Sequence, residues 1–301
     1  MNLTQFTQAL DKKKIEYSAN EPMSRHTTFG VGGEADVFVS VNNTADLIFV
    51  LENAKECALP TFILGKGSNL LVSDKGIAGV VVYTGKMNNI SIFGETVTAE
   101  CGVKMSTLCN TLLENSLSGL EFGYGIPGTV GGAVFMNAGA YIGEIKDVLV
   151  SCEYIDENLE LKKINLPDMA LSYRNSIFQK KNFIVTSATM KFKLGDADEI
   201  KAKMDDFISR RKQKQPLEYK SAGSTFKRPE GNFAGALIEK CGLKGKKVGG
   251  AEVSEKHAGF IVNKGNATCE DILALIELVK QEVYEKTGYT LEPEVRFVGR
   301  R

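Results

Sequence analysis

Residues 122–143 read FGYGIPGTVGGAVFMNAGAYIG, and this uncharged stretch bears most directly on the fold. It is long enough to cross a bilayer, but its seven glycines and Pro127 are incompatible with a lone lipid-exposed helix. We therefore predict backbone-rich loop structure here. Residues without a Cβ allow backbone N–H groups to surround a phosphate, although such a loop taken alone is more often a tight turn.

The segment GYGIPG at 123–128 matches the G-x-G-x-x-G pattern of Rossmann dinucleotide sites. A Rossmann site needs a strand before the glycines and a helix that begins among them, and Pro127 with the glycines at 131 and 132 disfavours this helix. A second glycine loop, GKGSN at 65–69, lies between two short apolar segments. Two such loops favour a dinucleotide pyrophosphate that is bound without a Rossmann fold.

Composition and charge disfavour several other classes of protein. The 301 residues include 37 basic and 37 acidic side chains, so bulk charge gives no reason to expect a nucleic-acid or membrane-surface binder. The two histidines, His26 and His257, have no metal-ligand spacing, and we predict no metal site. The six cysteines form no Cys-x-x-Cys pair, and the first twenty residues lack a secretory pattern. We expect a cytoplasmic protein with reduced thiols and no membrane insertion.

Outward from the glycine loops, hydrophobic periodicity predicts a mixed α and β chain. Strands are predicted at 35–41, 61–64, 70–72, 80–83, 183–194 and 291–298, and helices at 44–57 with Thr44 as N-cap, at 105–115 and at 196–214. Thr268 and Asp271 form a capping-box pattern that opens a further helix ending at Gly288. Because the strands cluster in meanders, we predict an α+β fold with a domain boundary near residue 195.

Arg174, Ser224 and Glu294 are candidate chemical groups, although each alone is more often structural or solvated. The segment around Ser224 lacks the G-x-S-x-G elbow and a nearby histidine, which disfavours a hydrolase nucleophile. A proton donor and a hydroxyl that satisfies a turn both remain open. Residues 210–228 include seven basic side chains and one acidic one, which fits either a solvated helix face or phosphate contacts.

Six motifs in order carry a resemblance to one enzyme family. They are RHTTFGVGGEAD at 25–36, GKGSNLL at 65–71, GIPGTVGG at 125–132 followed by NAGAY at 137–141, YRNSIF at 173–178, SAGSTFK at 221–227 and EPEVRF at 292–297. The chain resembles the UDP-N-acetylenolpyruvoylglucosamine reductases, flavoenzymes of bacterial peptidoglycan precursor synthesis. Since only Gln179 to Asn182 follow the YRNSIF motif before the next strand, it looks like their shorter, type II form. The chain departs from the family pattern at two positions: Lys220 stands where the family often has proline, and Ile142 follows the NAGAY motif. Both departures concern loop shape.

This resemblance implies a fold and a reaction. The fold is a non-Rossmann FAD-binding domain of the PCMH/vanillyl-alcohol-oxidase-like type over residues 1–195, with an N-terminal helix, followed by a smaller α+β substrate domain over 196–301. The reaction is NADPH-dependent, FAD-mediated reduction of the enolpyruvyl double bond of UDP-N-acetylglucosamine enolpyruvate to UDP-N-acetylmuramate. Two alternatives remain: a flavin oxidase that passes electrons to oxygen, and a non-catalytic nucleotide-sugar sensor.

The resemblance also implies roles for individual residues. Arg174 pairs with the substrate carboxylate, Glu294 in protonated form donates a hydrogen bond to it, and Ser224 supplies the proton, so these side chains should converge. The residues expected to contact noncovalent FAD, or phosphates of cofactor or substrate, are Gly65, Gly67, Ser68, Asn69, Ile126, Thr129, Gly132, Ala138, Gly139, Arg211, Gln215 and Arg296. The expected partners are NADPH and the UDP-sugar, with no nucleic acid and no obligate protein partner.

Overall fold

The computed structural model describes residues 2–301, in which helices and strands alternate irregularly. The helices are α1 (Leu3–Lys13), α2 (Thr44–Glu56), α3 (Met105–Glu114), α4 (Val130–Phe135), α5 (Ile177–Lys181), α6 (Ala197–Lys214), α7 (Ala234–Lys240) and α8 (Cys269–Thr287). The strands are β1 (Tyr17–Pro22), β2 (Glu34–Ser40), β3 (Thr61–Leu64), β4 (Leu70–Val72), β5 (Ile77–Tyr83), β6 (Ile90–Phe93), β7 (Thr96–Glu100), β8 (Leu117–Ser118), β9 (Gly139–Ala140), β10 (Gly143–Glu144), β11 (Leu149–Ile155), β12 (Leu161–Asn165), β13 (Ile184–Lys191), β14 (Lys193–Leu194), β15 (Lys247–Val248), β16 (Ala251–Val253), β17 (Ile261–Asn263) and β18 (Arg296–Val298).

Local signals at helix ends were mostly sufficient to place the helices. The Thr268 hydroxyl accepts a hydrogen bond from the Asp271 N–H, and the Asp271 carboxylate accepts one from the Thr268 N–H, both at 3.0 Å, so the predicted capping box opens α8. Gly288 ends this helix with a φ of 74°. The predicted cap of α2 is wrong by one residue, because the Asn43 side chain caps the helix and Thr44 is its first residue.

Two predicted strands differ from the structure. The strand expected at 183–194 is divided into β13 and β14, which pair with different partners, β7 and β8. The strand expected at 291–298 is limited to β18, and the residues before it make only an isolated bridge between Pro293 and Phe226. Proline has no N–H to donate, which prevents a continuous ladder through this position.

The strands form one large antiparallel sheet and several smaller ones. The five-stranded sheet has the order β12–β11–β13–β7–β6, and a four-stranded sheet has the order β1–β2–β5–β3, in which β3 and β5 are parallel. In the C-terminal part, β15, β16 and β17 form an antiparallel sheet. Strand β18 pairs in parallel with β4, with Arg296 opposite Leu70. This pairing brings the end of the chain to the residues that follow the first glycine loop.

The chain divides into two compact units that are not contiguous in sequence. The first consists of Met1–Ser18, Val37–Lys66 and Gly79–Arg211, and the second of Ala19–Asp36, Gly67–Ala78 and Lys212–Arg301. This division differs from the predicted boundary near residue 195. The α6 residues Ile200 and Met204 are buried in a core of the first unit, whereas Phe29, Val31 and Leu71 are buried with C-terminal residues in the core of the second. Burial of such apolar side chains, each contributing about 2 kcal/mol, decides which segments belong together.

Candidate active site

The loop after β3 leaves a row of backbone donors open. The N–H groups of residues 66–69 donate to no other residue within 2–301. Gly67 has a φ of +66°, and a Cβ at this position would lie 2.0 Å from the backbone oxygen of His26. The loop requires glycine here because a side chain would collide with the backbone, and its open donors suit an anionic ligand.

The two predicted glycine loops meet at Gly65 and Thr129. A Cβ on Gly65 would lie 2.6 Å from the Thr129 Oγ1 atom. Thr129 is buried and precedes α4 in an extended conformation, but its hydroxyl caps no N–H group of that helix. A bridge to Lys104 holds the second loop, with the Met105 N–H donating to the Gly128 oxygen at 3.0 Å. Two residues predicted to contact a cofactor are thus adjacent.

The uncharged stretch at 122–143 contains a helix, which corrects the prediction that it is loop throughout. Helix α4 includes Gly131, where a Cβ would lie 2.7 Å from the Cβ of Cys101, so glycine permits close packing at this position. Gly123 ends a 3-10 turn, and among the described residues no strand leads directly into it, which is inconsistent with a Rossmann βα unit. No helix within residues 2–301 has the length and apolarity needed to cross a membrane.

A hairpin follows α4 and carries two further predicted residues. Ala138 packs against the first-unit core, and Gly139 opens β9, which pairs with β10. Between these strands Tyr141 has a φ of +58°, donates its hydroxyl to the Phe207 oxygen at 2.7 Å and stacks on the Phe207 ring at 4.5 Å. Ile142, one of the two departures from the family pattern, lies at the hairpin tip and is 93% exposed. Its side chain therefore does not disturb the strands.

Arg174 lies at the end of a tight turn in the first unit. Ser172 and Asn175 close this turn by reciprocal backbone hydrogen bonds of 3.1 Å, and Arg174 has a φ of +54°. The guanidinium lies 5.1 Å from the centre of the Tyr173 ring, and its Nη2 donates to the Gly139 oxygen at 3.3 Å. A left-handed conformation is costly for a residue other than glycine, and such strain concentrates at functional sites.

Side chains that sequence analysis did not single out anchor this turn. The Gln179 amide donates to the backbone oxygens of Arg174 at 3.1 Å and of Phe135, at the end of α4, at 2.8 Å. Asn137 is fully buried and donates to the Glu144 carboxylate at 2.9 Å and to the Ser172 oxygen at 3.1 Å. The only sequence signal for Asn137 was its place at the start of the NAGAY motif.

Charges also surround this turn. A hydrogen bond from Lys146, one from Asn137 and the positive charges of Lys146 and Arg174 lower the pKa of Glu144. Arg211, near the end of α6, has its Cδ atom 3.3 Å from the position a Cβ would take on Gly125. Partial burial lowers the pKa of Arg211, which makes no ion pair with any carboxylate in the described part of the chain. A desolvated guanidinium in this situation suits a phosphate or carboxylate ligand.

Ser224 and Glu294 lie close together along paired backbones of the second unit. The Glu294 N–H donates to the Thr225 oxygen at 2.8 Å, and the Lys227 N–H donates to the Glu292 oxygen at 2.8 Å. The Ser224 side chain is exposed, and its hydroxyl makes no hydrogen bond to any residue within 2–301. The hydroxyl therefore does not satisfy a turn, which was the structural alternative for this serine.

The remaining predicted residues are distributed over both units. Ile126 packs against the first-unit core, Gly132 is exposed in α4, Ser68 lies half-buried in the turn before β4, and Arg296 begins β18, where partial desolvation lowers its pKa. The Oε1 atom of Gln215 is buried without a hydrogen-bond partner. The Asn69 amide nitrogen donates to the backbone oxygen of Glu294 at 3.1 Å.

Two lysines lie beside Ser224 in the sequence. Lys220, the other departure from the family pattern, packs its side chain over Gly30, where a Cβ would lie 2.5 Å from the lysine Cδ. The Lys220 backbone oxygen accepts a hydrogen bond from the Asn263 N–H at 2.9 Å. Lys227 pairs with the Glu292 carboxylate at 3.1 Å.

Two protein families match separate parts of the chain. Residues 35–165 match a family described as FAD binding domain, and residues 215–298 match one described as UDP-N-acetylenolpyruvoylglucosamine reductase, C-terminal domain. The sequence is also 53% identical over 290 residues, 96% of this chain and 94% of the relative, to the UDP-N-acetylenolpyruvoylglucosamine reductase of Clostridium novyi. It is 50% identical over 282 residues, 94% of this chain and 93% of the relative, to the enzyme of the same name from Caldanaerobacter subterraneus subsp. tengcongensis.

Solved structures with a similar fold include one at high and one at low sequence identity. The UDP-N-acetylenolpyruvylglucosamine reductase of Thermus caldophilus is 34% identical, with a TM-score of 0.80 over 94% of this chain and 98% of that one. A variant of Physcomitrella patens BBE-like 1 is 16% identical, with a TM-score of 0.50 over 63% of this chain and 44% of that one. The second likeness concerns fold alone. The predicted class, an α+β fold with a PCMH-like FAD-binding domain, is confirmed.

Proposed function

This chain belongs to the UDP-N-acetylenolpyruvoylglucosamine reductase family, and from that membership we propose how its residues perform the family's reaction. The protein is a flavin-dependent oxidoreductase of peptidoglycan precursor synthesis. It uses NADPH and FAD to reduce the enolpyruvyl double bond of UDP-N-acetylglucosamine enolpyruvate, which yields UDP-N-acetylmuramate. The predicted family and reaction are confirmed.

The residues of the glycine loops fit a bound FAD. Residues 66–69 present open N–H groups around a glycine that no other residue can replace. We assign the pyrophosphate to the loop at 65–69, with Gly65 and Thr129 between the two loops and Arg211 as a countercharge for a phosphate. Bound FAD supplies a hydride carrier that separates oxidation of NADPH from reduction of the sugar substrate.

Arg174 binds the carboxylate of the enolpyruvyl group in this proposal. Its planar guanidinium offers two parallel N–H donors to a carboxylate, and the Gln179 bonds together with the Tyr173 ring restrict where the side chain can point. Hydride addition to the terminal carbon places negative charge on the neighbouring carbon and the carboxylate. A guanidinium held in advance stabilises that charge without reorganisation in the transition state.

Ser224 supplies the proton, and Glu294 donates a hydrogen bond to the substrate carboxylate. The observation that supports this assignment is the backbone hydrogen bond between Glu294 and Thr225. Ser224 precedes Thr225, and its hydroxyl makes no hydrogen bond to another residue within 2–301. The proton moves from the Ser224 Oγ to the carbanion-like carbon, and water then reprotonates the serine.

We place this enzyme in the cytoplasm, with its small-molecule substrates as its only necessary partners. The equal numbers of basic and acidic side chains support the absence of a nucleic-acid partner. All six cysteines are free, and burial raises the pKa of Cys101 and of Cys152 to about 12, which maintains the unreactive thiol form.

Optical spectra of the purified protein test the proposed cofactor and reaction together. We expect a yellow protein whose chromophore is released by acid and identified as FAD, is bleached by NADPH and recovers with the enolpyruvyl substrate under nitrogen. If the flavin absorbance recovers rapidly with oxygen and does not recover with the enolpyruvyl substrate, the protein is instead the flavin oxidase. Bleaching without recovery by either would indicate the nucleotide-sugar sensor, and a colourless protein that FAD cannot reconstitute would overturn the proposal.

A further inference from the structure

Asn69 connects the first glycine loop to Glu294, the residue proposed to donate a hydrogen bond to the substrate carboxylate. Its Nδ2 atom donates to the backbone oxygen of Glu294 at 3.1 Å, across 225 positions in sequence. Its own backbone oxygen accepts from the Arg296 N–H at 3.0 Å. These bonds lie at the start of the parallel pairing between β4 and β18, where Leu70 is opposite Arg296. Asn69 therefore bonds to the backbone on both sides of Val295.

The other side of Glu294 is held by the residue next to the serine. The Glu294 N–H donates to the Thr225 oxygen at 2.8 Å. Thr225 is 1% exposed; its N–H donates to the Gly259 oxygen at 2.8 Å, and its hydroxyl accepts from the Ile261 N–H at 3.0 Å. These bonds fix the backbone next to Ser224. Thr225 accepts a hydrogen bond from the Glu294 N–H, and Asn69 donates one to the Glu294 oxygen.

We propose that Asn69 is a positioning residue that sets the backbone of Glu294, and so the placement of its carboxylate relative to Ser224. This inference rests on the proposed function of Glu294 and changes the role predicted for Asn69, whose amide nitrogen is bonded to Glu294. Loss of that bond leaves the Glu294 oxygen without its side-chain donor while the pairing of β4 with β18 remains. A displacement of about 1 Å at a reacting group reduces a rate by roughly 10²-fold, so a small backbone shift is sufficient.

Asn69→Ala tests the proposal in the FAD-bound enzyme, because it removes the donating amide without placing a negative charge beside the pyrophosphate proposed at residues 65–69. We expect substrate-driven reoxidation of the reduced flavin to slow by roughly 10- to 100-fold, with FAD content and reduction by NADPH close to wild type. Asn263→Ala is the matched control, since the Asn263 Nδ2 makes an equally long-range bond of 3.1 Å to the Phe29 oxygen in the same unit. It should leave reoxidation unchanged.

A double-mutant cycle shows whether Asn69 acts through Glu294. In a Glu294→Ala background Asn69→Ala should cause no further loss, whereas independent roles give losses that multiply. Multiplying losses, or a parallel fall in FAD content and NADPH-driven reduction, would overturn the inference and leave Asn69 as a cofactor contact. Asn69→Leu, which keeps the approximate size of the side chain, repeats the cycle if the alanine variant does not fold, and loss of FAD in both variants counts against the inference. Wild-type turnover in Glu294→Ala alone would instead remove the proposed function of Glu294, and the inference with it.

Discussion

The Arg174 turn and the Ser224–Glu294 pairing hold their functional groups by different means. Side chains anchor the Arg174 turn, since Gln179 binds its backbone and Arg174 itself has a strained φ of +54°. Main-chain hydrogen bonds hold Ser224 and Glu294, between Glu294 and Thr225 and between Lys227 and Glu292. Substitutions of Ser224 and Glu294 themselves should therefore remove chemistry without moving the backbone, whereas substitutions in the Arg174 turn should also change turn geometry.

The largest effect is expected for Ser224→Ala. Loss of a positioned proton donor costs roughly 10²- to 10⁴-fold, so stopped-flow absorbance should show slow reoxidation by the enolpyruvyl substrate after normal bleaching by NADPH. Ser221→Ala, in the same segment, is the control and should behave like the wild type. Normal reoxidation in Ser224→Ala would show that the proton comes from another group.

Arg174→Lys should have the next largest effect. The lysine keeps the charge but loses the planar pair of donors, and removal of one preorganised donor costs roughly 10²- to 10³-fold in kcat. Steady-state turnover should fall by this factor with FAD content unchanged. Arg210→Lys, which alters an exposed arginine paired with Asp206 in α6, is the matched control. Equal turnover in both variants would place the substrate carboxylate elsewhere.

Glu294→Gln and Glu294→Ala separate two possible roles of this carboxyl group. A glutamine still donates a hydrogen bond, so we expect partial turnover for Gln and a loss of roughly 10²-fold for Ala, with FAD content unchanged in both. Glu292→Gln, two residues away and exposed, is the control. If Gln is as inactive as Ala, the carboxyl group must ionise or exchange a proton. Wild-type turnover in Glu294→Ala would show that Glu294 is a solvated residue without a role in the reaction.

Arg174→Gly and Arg174→Ala test the strain in the turn. Both remove the guanidinium, but only alanine retains the penalty of a positive φ, which is about 1 kcal/mol. Urea unfolding should therefore find the glycine variant more stable by about this amount, although both are inactive. The same pair at Thr225, whose φ is not positive, should show no such gain for glycine. Equal stability of Arg174→Gly and Arg174→Ala would argue against strain.

The smallest effect concerns Glu144 and pH. The pKa of Glu144 is lower in the folded protein than in the unfolded chain. The stability that its carboxylate contributes is therefore present at pH values above its pKa in the unfolded chain, and it is lost as the pH falls through its pKa in the folded protein. Glu144→Gln should be less stable than the wild type at pH 7 by about 0.5 kcal/mol, the scale of a partly exposed ion pair. The gap should close in urea titrations at low pH. A gap that persists there would indicate packing rather than charge.

Features with a local signal could be predicted from the sequence. The capping box of Thr268 and Asp271 requires only residues three positions apart, and its helix begins as predicted. The glycine loop at 65–69 was identified because its two glycines lie close together in the sequence, and the structure shows that a Cβ at Gly67 would collide with the His26 oxygen. By contrast, Gly131 was assigned to loop because its helical packing on Cys101 depends on a neighbour thirty positions earlier.

The sequence by itself determined the α+β class, the glycine loops and, through its ordered motifs, the family and the reaction, because these depend on short segments with strong chemical signatures. Only the tertiary structure decided that Phe29 and Leu71 belong with the C-terminal core, that Gln179 anchors the Arg174 turn and that Asn69 binds the backbone of Glu294. Such contacts depend on burial and on hydrogen bonds between distant segments. No periodicity or spacing within one segment encodes them, because the partner is selected by packing of the whole unit.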